Sequence, residues 1–545
     1  MGTISYLLLS AFALSLCLLR VAPAYSIQSS LVRTFLAIFS IQFSAFAIWK
    51  LFLYPHIFSP LRYLPKVPGG SLIAGQFPTI LRDPNGVPME RWINEIPNEG
   101  LILYHHMFNN ERVLVTSPKA LAEVLVAKSY TFIKPDQLRR GLGQVLGFGI
   151  LLAEGDEHKR QRKHLMPAFA FRHIKDLYPV FWSKAREVTN AMAAEVHQPD
   201  EEGGVKRDSA VFDAASWPSR VTLDIIGVAG MAQDFRAVQD EESTLYKTYR
   251  TVFRSPSGAA KYFAIAQFVF PSWFLRMLPF SGNSRNVKAA ETIKDVSRDL
   301  IRAKREKLEK GESTDVDIIS VALQSGGFCD EDLVNQLMTF LAAGHETTAS
   351  SMAWASYLLC EHRDVQERLR EEVRTSLPSL SNPNSSISAA ELDRLPYLNA
   401  VCNEASRLLP PVALTLRIAA HDTTILGNRI PKGTTVILAP WAVNRSKELW
   451  GQDAAEFKPE RWLAPGKSNS GGAESNFSFL TFLHGPRSCI GQNFAKAEFA
   501  CLLAAWVGRF DISFADPDYR MEPQSGGPTS KPKNLMLNMK PLDGW

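Results

Sequence analysis

A mainly α domain with a small β portion, set behind an N-terminal membrane anchor, is the fold class this sequence predicts. Uncharged apolar runs crowd the first 54 residues, helical periodicity dominates the rest, and strand-like islands are few and short. Strand and helix do not alternate regularly, so a doubly wound parallel sheet is not expected.

The anchor comes first. Residues 1–19 carry no charge and include Leu7-Leu8-Leu9 and Leu18-Leu19. A second uncharged run, 34–49, is closed by Lys50 and extended by Leu51-Phe52-Leu53-Tyr54. A span needs about 20 apolar residues, so an anchor over 1–54 is expected, with segments near 4–24 and 34–54. Trp49 and Tyr54 suit a membrane interface. One pass and two passes are both open. Ala22-Pro23-Ala24 resembles a signal-peptidase site. Against cleavage, no Lys or Arg precedes the first run, and the second run would remain afterwards.

A hinge is predicted over 55–70, because Tyr63-Leu64-Pro65-Lys66-Val67-Pro68-Gly69-Gly70 is dense in helix breakers. Residues 71–545 then read as one large domain with no second linker and no internal repeat. The apolar fraction of 46% and charged fraction of 21% are those of a globular protein, which excludes a disordered or fibrous chain. Sixty basic side chains stand against 55 acidic ones, a net charge of +5, and no basic stripe interleaves with aromatics; no nucleic-acid partner is expected. Six cysteines are too widely spaced for a disulfide framework or a metal knuckle, and free thiols suit a reducing compartment.

Within the body, 101–104 and 112–116, split by Asn109-Asn110, read as a hairpin. Residues 423–430 and 434–438, with turn signals at Gly427-Asn428 and Pro431-Lys432-Gly433, read as a second hairpin. Residues 331–361 contain no proline and one glycine, which predicts a long buried helix. Polar stretches at 198–204, 379–388 and 466–475 read as surface loops.

The chemistry centres on Phe482-Leu483-His484-Gly485-Pro486-Arg487-Ser488-Cys489-Ile490-Gly491, which leads into the helix-forming run 492–507. A cysteine just before a helix feels unpaired amides and the positive end of the dipole, which favour thiolate. Gly485 and Gly491 leave room for close approach to a flat ligand, and Arg487 offers a fixed charge for a carboxylate. An isolated cysteine in such a loop is more often a structural thiol. These residues, however, match Phe-x-x-Gly-x-Arg-x-Cys-x-Gly at every fixed position, and the chain thereby resembles the cytochrome P-450 family.

That resemblance implies that the Cys489 sulfur ligates the iron of heme b (iron protoporphyrin IX), with Phe482, Gly485, Arg487 and Gly491 around the cofactor. His484, five residues before the ligand, reads as a packing or hydrogen-bonding residue and not as a second iron ligand.

Further motifs follow the family's order. Glu404 and Arg407 share a helix face and can pair; the apolar neighbours Val401, Leu408 and Leu409 argue that the pair is partly buried. Phe457-Lys458-Pro459-Glu460-Arg461-Trp462 resembles the family segment whose arginine, here Arg461, completes a structural cluster with them. In Ala342-Ala343-Gly344-His345-Glu346-Thr347-Thr348 the glycine weakens the helix and a hydroxyl competes for a carbonyl one turn back, so a widened groove is expected. By resemblance it is the oxygen-binding bend: Ala343 and Gly344 lie by the heme, Thr347 is the alcohol and Glu346 the proton-relay acid.

Gly155-Asp156-Glu157-His158-Lys159-Arg160-Gln161-Arg162-Lys163 resembles the family's propionate-contacting helix, with Arg162 at the arginine position and His158 where tryptophan is more common. That departure puts one propionate hydrogen bond in doubt. Arg417, after Pro410-Pro411, matches another propionate position. The basic run Lys159, Arg160, Arg162 and Lys163 reads equally as a solvated face or as a dock for an acidic electron donor. Glycosylation-like triplets at Asn384, Asn444 and Asn476 are expected to be silent in a body that faces the cytosol.

Carried through, the resemblance implies a heme-thiolate catalytic domain that inserts one oxygen atom of O2 into a C–H or C=C bond and releases the other as water. Electrons would come from NADPH through a separate diflavin NADPH–cytochrome P-450 reductase, with cytochrome b5 as a second donor, since this chain has no flavin or dinucleotide fingerprint. Cys489-Ile490-Gly491-Gln492 and Ala495-Lys496-Ala497-Glu498, with the anchor, are similar to fungal microsomal members; this implies the endoplasmic reticulum membrane and specialised metabolism. Substrate-facing positions by resemblance are 141–148 with Phe148, the helix residues Phe340 to Ala343, Val412 to Leu414, and Gly527-Pro528-Thr529. Nearly all are apolar, which predicts a lipophilic, uncharged substrate. Desaturation, rearrangement or phenol coupling on the same fold, and a non-catalytic heme sensor, are the alternatives; the intact Glu346/Thr347 pair favours O2 activation.

Overall fold

The computed structural model describes residues 3–197, 208–253, 281–311, 317–524 and 529–545; the loop expected at 198–204 and Pro528 of the late turn lie outside them. Two apolar helices open the chain, α1 (Thr3–Val21) and α2 (Leu31–Ile48), and α2 continues in π-helical geometry over Trp49–Phe58 around Pro55. Ser30 caps α2 by accepting from the Arg33 amide. Both helical segments, Ile4–Val21 and Leu31–Phe58, are long and apolar enough to cross a membrane. They lie against each other through the Phe12 and Phe35 rings, 6.4 Å apart edge to face, and a 3.1 Å hydrogen bond from the Ser10 hydroxyl to Gln42 Oε1.

The stretch read as a hinge is partly structured. The helix runs to Phe58, and beyond it the Leu103 amide donates to the Pro65 carbonyl (2.8 Å) and the Val67 amide to the Leu103 carbonyl (3.0 Å). Pro65 and Val67 are thereby stitched to the edge of a sheet.

The strands are β1 (Leu101–His105), β2 (Glu111–Val115), β3 (Phe132–Ile133), β4 (Ala210–Asp213), β5 (Thr415–Ala419), β6 (Thr423–Ile425), β7 (Asn428–Ile430), β8 (Thr435–Leu438), β9 (Phe510–Phe514) and β10 (Met536–Pro541). The larger sheet has the order β1-β2-β8-β5-β3, and a smaller one β4-β10-β9. β1 and β2 form the first predicted hairpin, with Leu101 opposite Val115. The second expectation needs correction. Residues 423–430 close on themselves as β6–β7 because Gly427, at φ +78°, turns the chain tightly. β8 instead runs antiparallel to β5 and parallel to β2. Its Val436, Ile437 and Leu438 are all fully buried, so both faces must be covered, and a central place in the sheet does that.

The helical body is built around α5, one of five further helices that bear on the site: α3 (Gly155–Leu165), α4 (Ser216–Met231), α5 (Asp330–Glu361), α6 (Pro396–Leu408) and α7 (Gln492–Arg509). α5 is the predicted long helix and is buried along most of its length. α4 crosses it closely at Gly344, where a Cβ would stand 2.9 Å from Ile226 Cγ1. α7 is buried almost continuously from Ala497 to Gly508, as its all-round apolar sequence requires.

β1 ends at His105 and the segment continues through His106. Burial pushes their pKa values down to about 4 and about 3, helped by His56 and Lys66 for the first and Arg112 for the second. An unfolded histidine titrates near about 6.5. Protons are therefore accepted by the unfolded chain before the folded one, and stability present above that value is lost as pH falls toward the folded values. His106→Gln should flatten this acid-side decline. Urea-unfolding midpoints measured across that interval test it, each pH unit of separation being worth up to about 1.4 kcal/mol; an identical decline in the variant refutes it.

Candidate active site

Cys489 sits between a short 3-10 turn, Gly485–Arg487, and the start of α7. Its amide donates to the Phe482 carbonyl at 2.9 Å, which closes the loop. Gly485 has φ +76°, and a Cβ there would lie 2.2 Å from the Leu125 carbonyl oxygen. The protein's own backbone therefore demands this glycine, where the sequence reading assigned it to a flat ligand. At Gly491, the N-cap of α7, an added Cβ would meet only Phe169 at 3.8 Å. His484 packs its ring on Phe477 (4.7 Å), with Nε2 3.0 Å from the Phe479 carbonyl.

The Cys489 side chain is exposed, yet surrounding protein desolvates it and pushes the thiol pKa up, against the Gly491 amide and the Arg162 charge. The influences expected to favour thiolate, the amide at the start of α7 and a nearby positive charge, are thus present, and burial opposes them.

Behind the loop lies a buried ion cluster. Arg407 donates to both Glu404 oxygens (Nε to Oε2 and Nη2 to Oε1, each 2.8 Å), Arg461 Nε donates to Oε1 (2.8 Å), and the Trp462 indole donates to Oε2 (2.8 Å). Glu404 and Arg407 are wholly inaccessible to solvent. Burial works to raise the Glu404 carboxyl pKa, but bonding and charge from Arg407, the charge of Arg461 and the indole together hold it below the usual range. The remaining Arg407 nitrogen, Nη1, donates to the Asn444 and Ala454 carbonyls at 2.6 and 2.7 Å.

Asn444 is the residue that sequence reasoning missed. Its side chain accepts from the Leu480 amide (2.7 Å) and donates to the Arg407 carbonyl (3.0 Å) and the Thr481 hydroxyl (2.9 Å). It thus joins α6 to the entry of the cysteine loop. At 0% exposure it is no glycan acceptor in the folded chain. The apolar run Ala439-Pro440-Trp441-Ala442-Val443 before it was the available signal.

On another side, cations gather with little to balance them. Arg487 donates to the Ser129 and Phe132 carbonyls (3.1 and 3.0 Å) and to Glu154, while its buried Nε has no partner. Among the described residues, Arg417, 3% exposed, donates to Thr415 Oγ1 and the Leu416 carbonyl. Arg162 Nη1 donates to the Ser488 carbonyl at 2.7 Å, and His158 Nδ1 lies 3.1 Å from the Tyr130 hydroxyl. Burial, then repulsion within the group, pushes Arg417 down to about 10 and His158 to about 4, and Lys134 well below its ordinary value. Glu154 is the carboxylate among them, one oxygen accepting from Arg487 and the Lys134 amide and the other, buried, without a partner. Neither Glu154 nor Lys134 was foreseen.

The basic face of α3 is less available than expected. Lys159 pairs with Asp156 (2.7 Å), Arg160 with Glu157 and Asp332 (2.6 and 3.2 Å), and Arg162 turns inward to Ser488. Neighbouring carboxylates thus occupy much of the face offered for docking.

α5 is continuous through Gly344, whose missing side chain serves the crossing with α4. Thr347 Oγ1 donates back to the Ala343 carbonyl at 2.9 Å. Glu346 is buried and accepts from Thr529 Oγ1 and Lys531 Nζ, both at 3.2 Å. Of the positions assigned to substrate, Phe340 is buried against the Phe169 ring (5.6 Å), Val412 and Leu414 are half-buried, and Phe148 is exposed, its amide donating to Asn335 Oδ1.

The cytochrome P450 family model matches residues 85–539. The chain belongs to the cytochrome P450 family. Among curated relatives, the P450 monooxygenase sphH of Aspergillus fumigatus is 45% identical over 526 residues, covering 96% of each chain. The P450 monooxygenase ALT8 of Alternaria alternata is 41% identical, covering 91% of this chain and 92% of its own. FUM15 of Gibberella moniliformis is 41% identical, covering 95% and 94%. This P450 is therefore an oxidoreductase enzyme, and its family carries heme iron. The residues fit that group. Cys489 presents a free, exposed sulfur, and Arg162, Arg417 and Arg487 hold a positive surplus that a dianionic cofactor would relieve.

Replacing Glu404 by Gln would leave Arg407 and Arg461 buried without their anion, at about 3–5 kcal/mol. The Glu404 contribution is present above about 4.3 and is lost as pH falls through the lower folded value. Glu404→Gln should lower the unfolding midpoint and the yield of heme-loaded P450 together; wild-type stability at neutral pH in the variant would refute the assignment.

Proposed function

We propose that this P450 inserts one oxygen atom from O2 into a lipophilic, uncharged small molecule, with electrons from NADPH relayed by a separate diflavin reductase. The observation that carries it is the exposed Cys489 sulfur, on a loop tied by Asn444 to a fully buried ion cluster. When bound, the heme would supply the iron that activates O2. Arg162, Arg417, Arg487 and His158 would hold its two carboxylates. Their charge surplus and the neutral state of His158 at physiological pH support this role.

Ala343 would add little bulk to α5 beside the cofactor, and Phe340, packed on Phe169, would present an apolar surface there. At rest the Thr347 hydroxyl donates to the Ala343 carbonyl; released from it, the hydroxyl would donate a proton into the site, and Glu346, after taking a proton from solvent, would replace it. The apolar side chains Phe148, Phe340, Val412 and Leu414 support a lipophilic substrate, to which Pro528 would add one more apolar surface. The two apolar N-terminal helices support an endoplasmic reticulum anchor with the catalytic domain on the cytosolic side, where reductase and cytochrome b5 would dock. The fungal P450 relatives support a place in specialised metabolism.

Full-length protein with NADPH–cytochrome P-450 reductase tests this reading. The reduced, carbon-monoxide-bound protein should show the thiolate-type red-shifted band, and Cys489→Ser should lose it. Thr347→Ala should keep the band but divert several-fold more NADPH to peroxide. Coupled turnover unchanged in Thr347→Ala would favour rearrangement or phenol coupling, and binding shifts given only by small anionic acids would overturn the substrate class.

A further inference from the structure

The acid of α5 does not face its alcohol neighbour in this structure: Thr347 is engaged with Ala343, and Glu346 with the carboxy-terminal segment. That segment is pinned. The Ser530 amide donates to the Pro411 carbonyl (2.6 Å), its carbonyl accepts from the Trp354 indole (2.8 Å), and the Gln524 amide donates to the Lys531 carbonyl (2.8 Å). With Ser530 clamped on both sides, the flanking Thr529 and Lys531 converge on one Glu346 oxygen. The Glu346 side chain is 5% exposed and that of Lys531 23%. The lysine is thus the part of the pair that reaches water. The adjacent His345 is fully buried, and burial, ahead of the Lys531 charge, pushes its pKa down, so it brings no competing cation.

We propose that Lys531 is a positioning residue for the proton-relay acid: with Thr529 it holds the buried Glu346 carboxylate in place and connects it to solvent. This rests on the role given to Glu346 above. A carboxylate this deeply buried, deprived of its cation, takes up a proton rather than remain charged.

The test uses the full-length, heme-loaded protein with NADPH–cytochrome P-450 reductase and no added substrate. NADPH and O2 consumption and peroxide release then divide oxygen reduction between peroxide and water. Lys531→Met should raise the peroxide share several-fold, Thr529→Val less, and Lys531→Arg should restore it. Combined with Glu346→Gln, Lys531→Met should add nothing further. Infrared difference spectra against Glu346→Gln give a readout independent of turnover: the ionised carboxylate band at neutral pH should give way to a protonated carboxyl band in Lys531→Met. An ionised band that persists, or a peroxide share that stays at the wild-type level in Lys531→Met, overturns the proposal. A wild-type share in Glu346→Gln itself would instead overturn the relay role of Glu346.

Discussion

Glu404 is a carboxylate with no access to water, and the chain around it is arranged so that the charge can exist there. Both oxygens are saturated by Arg407, Arg461 and the Trp462 indole, while Arg407 spends its last nitrogen on carbonyls of the segment that precedes the cysteine loop. An ion pair without solvent tolerates little displacement, since a lost bond leaves a charge in a low-dielectric interior. That intolerance passes through Asn444 to Leu480 and Thr481, and so to the loop that ends at Cys489. The position of the sulfur is thus set by electrostatics some way behind it.

The second charged region is built to the opposite rule. Around Glu154 the cations exceed the carboxylates, Arg487 keeps a buried nitrogen without a partner, and burial depresses Arg417 and Lys134. A fully satisfied cluster serves structure; a cluster left with surplus charge serves a ligand that brings the balance. The contrast separates two arginine-rich sites that composition alone would treat alike. Desolvation also works against a lone anion at Cys489 and pushes its thiol pKa up.

Contiguous motifs and short spacings were legible in the sequence. Glu404 and Arg407, three residues apart on one helix, could be paired from spacing, and the cysteine loop reads as one unbroken string. The long helix and the first hairpin were legible for the same reason. The β6–β8 region was not, because turn signals on both sides of β7 allow either pairing and only burial on both faces of β8 chooses the sheet centre. The partners of the basic run on α3 were only partly legible, since one of them, Asp332, comes from another helix.

By itself the sequence determined which side chains are available for the chemistry: a cysteine between two glycines before a helix, an acid and an alcohol side by side, and apolar segments long enough to span a bilayer. These are local facts, carried by neighbours a turn or a loop apart. Only the tertiary structure decided what each group faces. Lys531 meets Glu346 across 185 positions of chain, and Asn444 meets the cysteine loop and Arg407 from 36 and 37 positions away. Contacts of that range leave no periodicity to read, because they are fixed by the packing of whole elements and by the need of every buried charge for a partner.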